Sequence, residues 1–172
     1  MNSDLLFKVK GYLSALADVI SFFKSSYIYS FDFINFRSHL NAEEAMKEYL
    51  SNPDFLVSRH NISNPRLEKC PNWEKELFDT VNRWYFSDIA FSESEIGYSE
   101  NEDGEQIPLN QVFEYNYIAI GLLKNIKKFL GQAEVSVYKL ITKEAEQYEF
   151  AWEQYIFEVD SNAYILHFYR QG

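Results

Sequence analysis

The residue types that most often bind metals or act as nucleophiles are sparse in this chain and far apart. The three histidines, His39, His60 and His167, show no HxxxH spacing, and the single cysteine, Cys70, has no CxxC partner. Transition-metal sites need several such ligands at short spacing. We therefore expect surface or hydrogen-bonded histidines, a small half-buried cysteine, and no metal site.

The 26 acidic residues are the other source of potential chemistry. The run at 99–104 imitates the start of a calcium-binding EF-hand loop, but its first ligand position is Ser99 and its twelfth, which should be glutamate, is Asn110. The six glycines form no phosphate-binding loop. A pair of catalytic carboxylates leaves no signature in a linear sequence, so carboxylate catalysis remains an alternative. The prediction is a protein that is not an enzyme and uses no cofactor.

Negative charge is distributed unevenly along the chain, whose formal net charge is −10. No lysine or arginine occurs between Arg83 and Lys124, a stretch that holds eight acidic residues. A second stretch without bases, between Lys143 and Arg170, holds six. Clustered charge of one sign attracts and steers partners of the opposite sign. This polarity predicts a basic protein partner and argues against nucleic acid, whose phosphates need a basic surface.

Aromatic residues are the second unusual feature, with 15 Phe, 13 Tyr and 3 Trp. This is more than the core needs, so we expect some tyrosines at the surface, where amphipathic rings suit an interface. Tyr98 lies in the first acidic stretch, and Tyr148 and Tyr155 lie in the second. The alternative is a solvated acidic loop without a partner. The predicted partner-binding residues are Glu93, Glu95, Tyr98, Glu100, Glu102, Asp103 and Glu105.

Apolar residues at helical spacing predict the helices that position these segments. Asn41 is a candidate N-cap with Glu44 at the capping-box position, and Gly131 supplies a left-handed stop. Residues 27–36 fit a strand or a helix, and their pattern does not decide between them. Residues 52–72 hold three of the four prolines and predict an irregular connection. The predicted helices cover about residues 4–24, 42–50, 73–85 and 111–130.

The C-terminal third predicts antiparallel strands over about residues 135–142, 148–159 and 163–170. In the middle strand, Trp152 shares a face with Phe150, but after Gln154 the apolar residues move to the face of Glu153. Such a change of phase requires a bulge, a twist, or burial of both faces. Farther upstream, the Asp103-Gly104 dipeptide predicts a polar loop or an exposed hairpin over residues 92–109.

These elements predict an α+β protein whose helical N-terminal two-thirds pack on a C-terminal antiparallel sheet. A chain of 172 residues fits a single domain, residues 1–172. The first apolar residues recur at helical spacing, which indicates a helix of the fold instead of a signal peptide. The lone cysteine and the lack of a membrane-spanning apolar run predict a cytoplasmic protein.

The chain resembles, in general character, the immunity proteins of bacterial toxin systems, especially those of contact-dependent growth inhibition. The likeness lies in the acidic α+β build, the surplus of aromatics, and the terminal strand pair at 148–159 and 163–169. The resemblance implies a cytoplasmic partner of a toxin's C-terminal domain, often a basic nuclease, with acidic side chains taking the place of nucleic-acid phosphates. The alternatives are a regulatory or scaffolding module, or a DNA mimic, with a different basic partner. The sequence does not determine the oligomeric state.

Overall fold

The computed structural model describes residues 3–23, 26–36, 40–55, 62–87, 98–100, 103–108, 117–143 and 150–172. The helices in these ranges are α1 (Ser3–Phe23), α2 (Ala42–Ser51), α3 (Trp73–Asn82) and α4 (Tyr117–Leu130). A turn of π-helix, Arg83–Ser87, continues α3. The strands are β1 (Ile28–Asn35), β2 (Ser63–Lys69), β3 (Tyr98–Glu100), β4 (Gln106–Pro108), β5 (Val135–Lys143), β6 (Phe150–Val159) and β7 (Asn162–Gln171).

Five of the strands form one antiparallel sheet in the order β1-β7-β6-β5-β2, while β3 and β4 pair as a separate hairpin. A tight turn joins β6 to β7, and its residues Asp160 and Ser161 have positive φ angles of 48° and 64°. The three inner strands therefore come from the C-terminal end of the chain, and the N-terminal half supplies the two outer strands.

One face of the sheet is covered by α1, α3 and α4. Val9, Leu13 and Ile20 of α1 are fully buried there, because their spacing places them on one stripe of the helix. Phe33 of β1 is central to this layer, with its ring 5.6 Å from that of Phe157 on β6. Burying each such side chain contributes roughly 1.5–3 kcal/mol, so this layer is the main source of stability.

The short helix α2 covers the opposite face. Asn41 and Glu44 form a capping box at its start, with reciprocal bonds of 3.0 Å between side chain and backbone. Ala45 and Tyr49 are fully buried in a smaller cluster that includes Ile156 of β6. The middle of the sheet is thus enclosed on both faces.

A close approach between α1 and α4 depends on Gly121. The Tyr12 hydroxyl donates a hydrogen bond of 2.9 Å to the carbonyl oxygen of Ile118. A Cβ atom added at Gly121 would collide with the Tyr12 hydroxyl and ring. The absence of a side chain at this position therefore lets the tyrosine reach the helix backbone.

The α+β prediction is confirmed, with helices mainly in the N-terminal part and the antiparallel sheet C-terminal. The undecided segment 27–36 contains strand β1. The prediction of an irregular connection over 52–72 is wrong for residues 63–69, which form β2. The sequence is deceptive there because Pro65 lies in an outer strand, beside a break in register between Ser63 and Arg66.

The change of phase in β6 reflects burial of both faces. β6 pairs with β7 in continuous register from Phe150 to Val159, so no bulge separates the two halves. Tyr155 and Phe157 face the three-helix layer, while Ile156 faces α2, and all three are buried. A strand enclosed in this way carries apolar residues at consecutive positions.

Candidate functional site

The hairpin of β3 and β4, with residues 103–105 between them, forms the candidate binding surface, named here the acidic hairpin (residues 98–100 and 103–108). Its strands pair Tyr98 with Pro108, Ser99 with Ile107 and Glu100 with Gln106. Gly104 adopts a left-handed φ of +79°, which glycine accommodates without strain. Of the two predicted alternatives, the pairing of β3 with β4 on either side of Asp103-Gly104 favours the hairpin over the polar loop. Residues 92–97, 101, 102 and 109 of the predicted range lie outside the described residues.

Three of the predicted contact residues are exposed on this hairpin. Glu100, Asp103 and Glu105 all lie at the surface, around one turn. The backbone of Tyr98 belongs to β3. Predictions for Glu93, Glu95, Glu102 and the Tyr98 side chain lie outside the described residues.

The second base-free stretch differs from the first, because its central acid, Glu153, points into the molecule. The Glu153 side chain is only 10% exposed, and Lys139 on β5 and Arg83 after α3 both donate to it, at 2.5 Å and 2.7 Å. Trp84 adds an indole N–H bond of 3.0 Å. The Thr80 and Tyr155 hydroxyls lie 3.2 Å and 3.3 Å from Oε1. We call these six residues the Glu153 network.

Hydrogen bonds and opposite charges determine the protonation of Glu153. Burial opposes ionisation, but the bonds from Lys139, Arg83 and Trp84 outweigh it and lower the pKa of the Glu153 carboxyl to about 2. A group this acidic stays ionised at neutral pH and cannot serve as a proton donor there. Its two cations leave no excess negative charge, so this carboxylate does not extend the acidic surface.

Other members of the second stretch are also committed to the fold. Glu158 accepts a bond of 2.9 Å from the backbone N–H of Ala42, at the positive end of α2. Tyr155 is 1% exposed, so its predicted use as a surface anchor is wrong. The expectation for Tyr148 lies outside the described residues, whereas Asp160 is exposed in the β6–β7 turn.

A buried polar cluster joins α2 to the sheet. The Tyr49 hydroxyl lies 2.5 Å from Nδ1 of His167, and the side-chain amide nitrogen of Gln154 lies 3.5 Å from the same atom. Burial lowers the pKa of His167 to about 3, which keeps the imidazole neutral at physiological pH. The hydrogen-bonded role expected for this histidine is confirmed. His39 and His60 lie outside the described residues.

Cys70 lacks the properties of a reactive thiol. It is 5% exposed, more deeply buried than expected, and its sulfur contacts the carbonyl oxygen of Glu68 at 3.7 Å. Burial raises its pKa to about 12, so the thiolate is scarce at neutral pH. Among the described residues, no group of three or more His, Cys, Asp or Glu is placed to hold a metal ion.

Comparison of the chain with family models, curated proteins and solved structures finds no match. Among the helices described above, none has both the length and the apolar character needed to cross a bilayer. Function is therefore inferred from the chain's own residues, and the acidic hairpin brings three of the predicted contact residues together at the surface.

Proposed function

We propose that the protein is a cytoplasmic immunity protein that binds and neutralises the basic domain of a cognate bacterial toxin. The acidic hairpin would form the centre of the contact surface. The observation that carries this proposal is the exposure of Glu100, Asp103 and Glu105 together at one turn, within a stretch that contributes no lysine or arginine.

The contrast with the rest of the protein supports this assignment. Elsewhere in the described part of the chain, several acids form ion pairs with basic side chains, whereas the stretch that holds the hairpin contributes no lysine or arginine of its own. A local field of this kind raises the association rate of a basic partner by roughly 10- to 1,000-fold at low salt. The pairs are Lys10–Asp32, Arg66–Glu68, Lys75–Asp79, Lys127–Glu74, and Glu153 with Arg83 and Lys139.

Neutralisation follows from what a basic toxin domain must bind. A nuclease holds substrate phosphates with lysine and arginine side chains, and carboxylates at matching positions occupy the same cations. The hairpin backbone offers a second mode of contact, in which an extended segment of the partner adds a strand to one of its edges. A partner engaged in either way would lose access to nucleic acid.

The test uses charge reversal at the hairpin with a matched control. The hairpin variant carries Glu100→Lys, Asp103→Lys and Glu105→Lys. The control carries Asp18→Lys, Asp54→Lys and Glu134→Lys, three exposed acids outside the hairpin. Both change the net charge by the same amount, so a difference between them reports position and not overall charge.

Each tagged protein is used to capture partners from its native strain, and every captured protein is then expressed alone in a test bacterium. We expect the wild type and the control to retain a basic protein that is toxic alone and harmless when co-expressed. The hairpin variant should lose about tenfold or more in affinity, with a weaker dependence on salt. Equal capture and protection by the hairpin variant, or a partner that is not toxic, would contradict the proposal.

A DNA mimic would give a different result. It would compete with DNA for many unrelated nucleic-acid-binding proteins, whereas an immunity protein discriminates in favour of one partner. Titration of the wild type against two unrelated basic nucleases separates the two functions. Inhibition of both at similar concentrations would favour the mimic.

A further inference from the structure

The outer edge of β1 carries backbone groups that point away from the sheet. The N–H of Phe36 donates to the carbonyl oxygen of Ala163 at 3.3 Å, which marks these two residues as a hydrogen-bonded pair. Because such pairs alternate along an antiparallel ladder, the even-numbered residues of β1 bond to β7 and the odd-numbered ones point outward. Within the described part of the chain, no strand pairs with this outer edge.

One of the outward N–H groups is capped by the protein itself. The Phe33 N–H donates to Oδ1 of the preceding Asp32 at 2.7 Å. Lys10, which extends from α1, approaches the same oxygen at 3.5 Å. The carboxylate thus occupies the position where the carbonyl oxygen of an added strand would bind.

We propose that Asp32, held by Lys10, guards the β1 edge and prevents it from pairing with the β1 strand of a second copy of this chain. Exposed edge strands are templates for such pairing, and charged side chains are a known way of blocking them. The guard acts twice, because it removes a donor from the edge and places two charged side chains, Asp32 and Lys10, in the path of an incoming strand.

The position of Asp32 makes it effective against a second copy. β1 runs from Ile28 to Asn35, so Asp32 lies near its centre. When two copies pair antiparallel through their outward groups and overlap along most of the strand, their Asp32 side chains lie directly opposite or one diagonal step apart. Like charges directly opposite destabilise a strand pair, and the partly exposed Lys10, at 3.5 Å, offsets only part of this repulsion.

The two outer strands of the sheet, β1 and β2, differ in how regular their edges are. β2 contains Pro65 and a break in register between Ser63 and Arg66, and it also exposes the charged side chains of Arg66 and Glu68, so several features blunt its edge. β1 pairs with β7 without a break, and its first residue, Ile28, is 66% exposed. A regular edge with an exposed apolar side chain is the type that self-associates, so β1 depends on Asp32.

The experiment compares the oligomeric state of the full chain and its variants by sedimentation over a wide range of concentrations. Asp32→Ser removes the charge and shortens the side chain that accepts the bond from the Phe33 N–H. Asp32→Asn removes the charge but keeps an oxygen that can accept from Phe33. Glu134→Gln is the matched control, because it removes one charge at an exposed site outside the sheet.

We expect the wild type and the control to sediment as monomers. The dimer dissociation constant of Asp32→Ser should fall by about tenfold or more, with a smaller fall for Asp32→Asn. A second substitution, Asn35→Pro, locates the interface. The N–H of Asn35 points outward, so proline there blocks an added strand but removes no bond to β7.

If the double variant Asp32→Ser, Asn35→Pro sediments as a monomer, the result supports the proposal that Asp32 guards the β1 edge. The proposal is overturned if Asp32→Ser and Asp32→Asn both sediment like the wild type. It is also overturned if the proline leaves their association unchanged, or if it dissociates a wild-type dimer. Thermal unfolding of each variant establishes that the sheet is intact during the comparison.

Discussion

The two base-free stretches have similar acidic sequences but differ in where the structure places their acidic side chains. In the first, Glu100, Asp103 and Glu105 are exposed on a small hairpin that pairs with no other strand of the described sheet. In the second, Glu153 is enclosed on an inner strand and bonded to Arg83 and Lys139. Among the described residues, the exposed acids of the first stretch therefore lie together on one hairpin, whereas the central acid of the second is enclosed.

Topology accounts for this difference. β6 lies beside β5 and below α3, so residues distant along the chain reach Glu153 from both sides. The antiparallel pairing places Lys139 opposite Tyr155, next to Glu153. Glu153, which has no neighbouring base in sequence, is thus neutralised by bases from other elements of the fold.

We expect the largest effect from Glu153→Gln, which should lower the free energy of unfolding. Removing one partner of a buried ion pair typically costs about 3–5 kcal/mol, because the remaining charges lose their compensation. Here the Lys139 and Arg83 side chains are 30% and 54% exposed and can turn toward water, so we expect about 3 kcal/mol. Chemical denaturation followed by circular dichroism measures the loss.

Glu105→Gln on the acidic hairpin is the matched control. It makes the same chemical change at an exposed position, where substitutions shift the free energy of unfolding by less than about 0.5 kcal/mol. Equal stability losses at both positions would mean that the Glu153 network does not hold the sheet against α3.

A second effect appears in acid. The pKa of Glu153 is lowered from 4.5 to about 2 in the folded protein, so its stabilising contribution is complete above pH 4.5 and disappears as pH falls toward 2. Glutamine does not titrate. The difference in unfolding free energy between the wild type and Glu153→Gln should therefore be constant from pH 7 to 5 and shrink below 4.5.

His167 provides an internal reference for this measurement. Its pKa is lowered from 6.5 to about 3, so the unfolded chain binds a proton more readily and both proteins lose stability as pH falls below 6.5. Because His167 is present in both, this loss cancels in the difference. A wild-type advantage that declined already between pH 7 and 5 would contradict the assignment of the acid effect to Glu153.

The sequence predicted the parts of the fold in which local signals agree with the final structure. Asn41 and Glu44 form the expected cap, Gly131 has the expected positive φ of 65°, and the strands predicted at 148–159 and 163–170 pair as β6 and β7. β2 was missed because proline and asparagine dominate its local signal, whereas its strand conformation depends on pairing with the distant β5. β1 remained undecided for the same reason.

The sites divide in the same way. The hairpin turn at Asp103-Gly104 is a local feature, and the dipeptide predicted it. The Glu153 network joins residues 80, 83, 84, 139, 153 and 155, and no short motif links them. The one sequence signal for this network was the change of phase in β6. It placed Glu153 on the same face as the apolar residues Tyr155 and Phe157, which follow it in the strand. Burial of both faces was among the stated explanations, and it implies an enclosed carboxylate that requires a cation.

We expect the smallest effect on stability when the acidic hairpin is neutralised by Glu100→Gln, Asp103→Asn and Glu105→Gln. These substitutions keep the side-chain shape and hydrogen-bonding oxygens, and asparagine before Gly104 still suits the turn. We expect the free energy of unfolding to change by less than about 0.5 kcal/mol, or to rise slightly at low salt as repulsion within an acidic protein is relieved. Denaturation at low and high salt measures both. A loss like that of Glu153→Gln would assign these acids to the fold, and the difference between the two stretches would vanish.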